Sequence, residues 1–294
     1  MAGTFLYLSL LPSTSAETRF PEDAWNGVPV FPPGGLPDGE VAFVEKDGAR
    51  HMAAWYGAPT ARYRHGILGD AIEAGTLHVA LRDGRQFSLT LPQSEVFEDR
   101  TPRLIDLDGD GQFEIVTIRS LKTAGGSVAV FGIRDGNLVE LASTVPIGRS
   151  NRWLNIAGIA DYAGRGTSQI AYVETPHIGG TLYFVEKRGS KLVPVASMRG
   201  FSNHEIGSRE QNLSADIFWS GGERPDLAVP SDSLRTLRVV GFRDGDLQEL
   251  DQKALPAKVV TRSMSPAEKH KTCARFQLEN GDQFNLCAPG HTPD

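Results

Sequence analysis

Cysteine is the scarcest residue of this chain, with 2 in 294 positions, and lysine is scarce beside arginine, 8 against 22. No apolar run approaches the roughly 20 residues of a membrane-crossing helix. Nor does any stretch keep a helical hydrophobic period over three turns, which argues against the helical fold classes. The phosphate-cradling pattern GxxxxGK[ST] and the nucleophile pattern GxSxG are both missing, so nucleotide binding and serine-ester chemistry lack their usual sequence basis. A net charge of −6 argues against a nucleic-acid partner, which needs a clustered basic excess. What is present, 40% hydrophobic and 22% charged residues, is enough to bury a real core. Length and composition suit one large β domain of barrel or propeller size.

The two cysteines fall in TCARFQLENGDQFNLC, a hairpin turning at Glu279-Asn280-Gly281, with Gly281 as the left-handed residue of a three-residue loop. That register sets Cys273 opposite Cys287 on a non-hydrogen-bonded pair, where Cα atoms lie closest and a cross-strand disulfide fits. Ala274, Phe276, Phe284 and Leu286 then share the face to be buried. A disulfide agrees with an oxidising compartment; the alternative is a pair of free thiols in a reduced cytosol. Residues 1–16, MAGTFLYLSLLPSTSA, join an apolar stretch to small residues in the manner of a secretory signal, although no Lys or Arg precedes the stretch. The other reading of that segment is a buried N-terminal strand. On the first reading the protein is periplasmic or secreted. Residues 17–39 form an irregular, Pro- and Gly-rich lead-in, 40–288 a single domain, and 289–294 a tail.

Internal repetition organises the domain. VAFVEKDGARHMAAW, LHVALRDGRQFSLTL, VAVFGIRDGNLVELAS, LYFVEKRGSKLVPVAS, LRVVGFRDGDLQEL and the cysteine hairpin all alternate apolar and polar residues around a Gly-containing turn. Gly136, Gly189 and Gly245 are separated by 53 and 56 residues, room for a further strand pair in each interval. RLIDLDGDGQFEIVTI, AGIADYAGRGTSQIAYV and SADIFWSGGERPDLAVP supply those pairs when aligned on Ile115, Ile170 and Leu227. Four antiparallel strands about every 50 residues read as propeller blades. The expectation is an all-β propeller of about six four-stranded blades, with five or seven as alternatives, closed by the C-terminal hairpin.

In DLDGDGQFEIV, carboxylates at alternate positions of a tight glycine loop converge on one point, as calcium requires. Asp106, Asp108 and Asp110 would offer side-chain oxygens, Gln112 a backbone carbonyl and Glu114 a closing carboxylate. An EF-hand would need a glutamate at the position held by Thr117, and flanking helices. The stretch resembles instead the calcium loop of FG-GAP or VCBS repeat proteins, whose relatives include the integrin α-subunit propellers. That resemblance implies one structural Ca2+. The second copy, DYAGRGTSQ, keeps Asp161 and both glycines; the third, FWSGGERPD, keeps only Asp226.

The connections that lead into innermost strands are rich in arginine: PTARYRHG, FEDRTPR, GRSNRWLN, NHEIGSREQN and VVTRSM. Arg152 and Arg209 occupy equivalent places before the aligned loops, and Arg64 and Arg100 lie in other connections. Converged, these arginines would form a basic ring suited to a carboxylate or phosphate, with Trp153, His177 and His204 adding stacking surface. The alternative is solvated arginines with ion pairs to Glu98, Asp99, Glu205 and Glu210. The functional expectation is a calcium-stabilised, exported, non-enzymatic binding module for a protein or anionic glycan, an acidic glycan or acidic protein segment meeting the central arginines. The competing reading is a polysaccharide lyase or glycoside hydrolase working with channel-mouth carboxylates.

Overall fold

The computed structural model describes residues 34–46, 48–263 and 272–293. The expected signal segment and most of the lead-in lie outside these residues. Among the described residues every regular element is a strand. Antiparallel pairing groups the strands into consecutive meanders. The first comprises β1 (Ala42–Lys46), β2 (Ala49–Thr60), β3 (Glu73–Leu81) and β4 (Gln86–Thr90). In the second, β5 (Glu95–Phe97) and β6 (Arg103–Ile105) lie end to end along β7 (Glu114–Leu121), followed by β8 (Gly125–Arg134) and β9 (Asn137–Ser143). β10 (Leu154–Ala160), β11 (Gln169–Glu174), β12 (Thr181–Arg188) and β13 (Lys191–Arg199) form the third. β14 (Ala215–Ile217), β15 (Asp226–Pro230), β16 (Thr236–Arg243) and β17 (Asp246–Ala254) form the fourth. The fifth has β18 (Val259–Arg262), β19 (Cys273–Leu278) and β20 (Gln283–Cys287).

All six anticipated hairpins form, but the first two are the two halves of one meander, so the described strands make five repeats and not six. Among the described residues the C-terminal hairpin pairs with β18. Its internal register is as read from the sequence: Cys273 faces Cys287, and the two sulfurs are bonded across a Cα separation of 4.0 Å.

Repetition reaches the level of single residues. Ile115, Ile170 and Leu227 pair with Phe131, Val185 and Val240, and each meander carries its bulge immediately before that partner. Asp135-Gly136 and Asp244-Gly245 turn their hairpins with positive φ at both positions, the geometry that matches strand twist.

Side-chain alternation sends successive residues of a strand to opposite faces, and here the two faces meet different neighbours. Phe97, Ile115, Ala129 and Phe131 pack against Leu77 and Val79 of the first meander. Val116, Ile118 and Val128 pack against Leu154, Ile170 and Tyr172 of the third. Ala171, Val173 and Phe184 then meet Leu227, Val229 and Phe242 of the fourth, whose Ala228, Leu237 and Val239 meet Phe276 and Leu286 of the fifth. Each of the three inner meanders is thus a layer sandwiched between its predecessor and its successor, and four apolar seams hold the series.

Candidate functional site

Strand alternation separates two ends of the molecule. The hairpin turns and the three aligned glycine loops share one end; the connections between meanders share the other with the second-to-third strand turns. At the first end, Asp106 accepts backbone N–H groups from Gly109 (2.8 Å), Asp110 (3.1 Å) and Gly111 (2.9 Å), which winds the loop tightly. Glu114 is fully buried and accepts the Leu107 N–H. Asp106, Asp108 and Glu114 bring one carboxylate oxygen each within 4.8 Å of one another. Burial pushes the Glu114 carboxyl up, and the negative charges of Asp108 and Asp110 add to this. The hard-oxygen set suits a calcium-like cation. Asp110 is directed elsewhere: its carboxylate takes the backbone N–H of Gln112 (2.7 Å) and that residue's side-chain amide (3.0 Å). Three of the four expected carboxylates, those of Asp106, Asp108 and Glu114, thus converge. Arg134 stands 3.4 Å from Glu114 and Lys187 3.8 Å from Asp108, supplying part of the countercharge from the protein.

The two degenerate loops show how the same turn is made without that carboxylate cluster. Asp161 accepts from Arg165 and Gly166 as Asp106 does from Asp110 and Gly111. In the third copy Asp226, at the place of Glu114, accepts from Ser220 and pairs at 2.7 Å with Arg243, the counterpart of Arg134.

At the connection end the expected basic ring is not free. Arg209 bonds Asp38 (3.1 Å) and Asp70 (3.0 Å), and Arg100 bonds the Asp38 backbone carbonyl (2.8 Å) and lies 3.5 Å from its carboxylate. The lead-in therefore places the chain's own anion on this arginine pair. Arg152 reaches the Asn151 carbonyl, and Arg64 is exposed. Trp153, His177 and His204 do come together. The indole stacks on the His177 ring at 6.3 Å and meets the His204 ring edge-on at 4.7 Å, while its Nε1–H donates to the Glu98 carbonyl. Burial pulls both histidines down to about 4, so both rings are neutral near pH 7. His204 Nε2 faces the Ser208 carbonyl at 2.9 Å and must carry the proton there; its Nδ1 then accepts from His177 Nε2 at 3.0 Å.

Glu98 and Asp99 fill the gap between β5 and β6 and are fully buried. Glu98 bonds His65 at 2.6 Å and also Ser120. Asp99 accepts from Tyr56 (2.8 Å), Arg103 (2.5 Å), Gln211 (3.1 Å) and the backbone N–H groups of Arg100 (3.0 Å) and Ile118 (3.1 Å). Glu73, which the sequence reading passed over, is 2% exposed; burial, then the nearby Glu98, Asp70, Asp38 and Asp99, push its carboxyl up to about 9. Its one sequence signal is an acid opening the otherwise apolar strand EAGTLHVAL. The other two acids behave as surface groups: Glu205 pairs with Lys258 at 2.7 Å, and Glu210 caps the Asn212 N–H and takes the Thr261 hydroxyl.

Beside the histidine pair, the connection end opens into a cleft of about 660 Å³, lined among others by Pro176, His177, Ile206, Asp232, Leu234 and Lys258. Ile206, which lines it, is 67% exposed, and Ile178, between the lining residues His177 and Gly179 in the chain, is 60% exposed. No family model matches the chain, and no curated protein matches it. Among solved structures, a crystal structure described as BBS1N in complex with ARL6DN, soaked with mercury, is similar at 10% identity. The match covers 87% of this chain and 67% of that one, with a TM-score of 0.49.

Proposed function

We propose that this chain is a propeller-type binding module whose connection face takes a segment of a protein partner, while the opposite end is braced by calcium. The sequential meanders, each packed between its neighbours by alternate faces, support the propeller reading. The cleft carries the functional half: it is formed by loops of the third, fourth and fifth meanders on a rigid scaffold, and large aliphatic side chains stand exposed at its mouth. Asp106, Asp108 and Glu114 would hold the cation, whose part is to neutralise the carboxylates and pin the loop. The disulfide supports passage through an oxidising compartment. No enzymatic role is proposed, because Glu98 and Asp99 are fully buried and committed to structural hydrogen bonds.

The experiment is selection of a displayed random-peptide library on the protein and on an Ile178→Asp/Ile206→Asp variant. Peptides enriched on the first and lost on the second, with unchanged melting temperature, are the expected outcome. Equal enrichment on both proteins would remove the cleft as the binding face.

A further inference from the structure

The hydrogen-bonding inventory of the cleft has one sign. Ser202 Oγ donates inward to the His204 carbonyl, and Ser233 Oγ is engaged by Ser231 Oγ and the Arg235 N–H. Lys258 is matched by Glu205 at 2.7 Å. Among the charged side chains lining the cleft, that leaves Asp232, exposed and without an ion pair among the described residues. Its backbone is held in place: Asp232 N–H donates to the Gly200 carbonyl at 3.2 Å, and Leu234 N–H closes the turn onto Ser231 at 2.9 Å. Leu234 adopts φ 59°, a left-handed conformation that a bulky residue takes only where surrounding structure imposes it. The carboxylate is thus presented on a preorganised turn, which lowers the ordering cost of binding. Pro176, Ile206 and Leu234 line the same cleft and make its wall partly apolar.

Resting on the cleft as the binding face, we infer that its occupant is a short protein segment with a lysine or arginine flanked by aliphatic residues, the cation seated on Asp232. Charge complementarity decides the sign. An acidic segment would meet an unpaired carboxylate and a lysine already matched, whereas a basic one satisfies the free anion. A chain of net charge −6 also attracts the basic segment from a distance. This reverses the anionic ligand anticipated from the arginine-rich connections, since Arg100 and Arg209 already have Asp38 and Asp70.

The test compares peptide pools selected from the random library on the native protein, on Asp232→Asn and on Ile206→Asp. Asp232 makes no side-chain bond within the described residues that folding would miss, and a melting curve verifies each variant. The expected result is a basic residue between aliphatic ones in the native pool, lost from the Asp232→Asn pool. A peptide from the native pool should then bind Asp232→Asn roughly tenfold more weakly, the worth of a charge-assisted contact. A pool that depends on Ile206 but shows no basic bias, or an acidic one, overturns the cationic partner and leaves the binding face standing. If no pool depends on either residue, both readings fall together.

Discussion

At the residue scale, the arginines of the connections looked free because their partners lie far away in the chain. Arg209 meets Asp38 and Asp70 across 171 and 139 residues, and no local spacing announces such pairs. The aromatic grouping of Trp153 with His177 and His204 was legible, since each falls in a connection on the same end. Its protonation was not, because desolvation is a property of the packed state. The two rings are pulled from an ordinary value near 6.5 to about 4, by burial first; His65 and the partner ring add to this, while Glu205 and the carbonyls of His204 and Ser208 oppose it. A depressed pKa means the unfolded chain takes up protons that the fold refuses. The corresponding stability is therefore fully present above pH 6.5 and is lost as pH falls through 4. The unfolding free energy from urea titration should decline over that window, by up to about 3 kcal/mol for His204 and less for the more open His177. The His177→Gln/His204→Gln variant should show a flatter acid limb. Equal slopes in both proteins would mean that carboxylates elsewhere govern acid unfolding.

At the element scale the sequence was most informative where turn chemistry and period agree. Asp-Gly turns, the cysteine register and the alignment on Ile115, Ile170 and Leu227 all reappear in the pairing. The described strands give five meanders, the lower of the counts the sequence left open, for a local reason: two hairpin patterns in succession read as two units, and the pairing of β2 with β3 joins them. The glycine loop was half legible. Alternation brought Asp106, Asp108 and Glu114 together, but it could not foresee that Gln112 would draw Asp110 aside. If calcium braces this loop, excess calcium raises the melting temperature by mass action and chelator reverses the effect. Asp108→Ala should abolish the response. With Arg134 and Lys187 already nearby, the affinity should be modest, and the gain reaches about 2.7 kcal/mol only at a hundredfold excess of calcium over Kd. A melting temperature indifferent to calcium would show that Arg134 suffices here, as Arg243 does in the third copy.

At the scale of the whole molecule, apolar seams join neighbours only in sequence, so something else must tie meanders that do not share a seam. The buried polar network does this. Asp99 of the second meander accepts from Tyr56 of the first and Gln211 of the third-to-fourth connection, and Gln211 in turn bonds Asn155 of the third. Asn155 and Asn203 exchange side-chain to backbone bonds in the same interior. None of this could be read from sequence, because each member is an ordinary polar residue until the fold collects them. Truncating the hub with Asp99→Ala would leave the Arg103 guanidinium, the Tyr56 hydroxyl, the Gln211 amide and the Ile118 N–H without their shared acceptor. The expected loss is about 3–5 kcal/mol, the usual cost of breaking a buried charge pair from one side. It should appear in the first three meanders at once, as raised amide exchange from β2 to β10, because the network touches all three. Asp108→Ala, at the opposite end, should raise exchange only around its own loop. Exchange confined to β5 and β6 after Asp99→Ala would instead mark the network as local filling of the gap between those strands, and the seams alone would then account for the cohesion of the series.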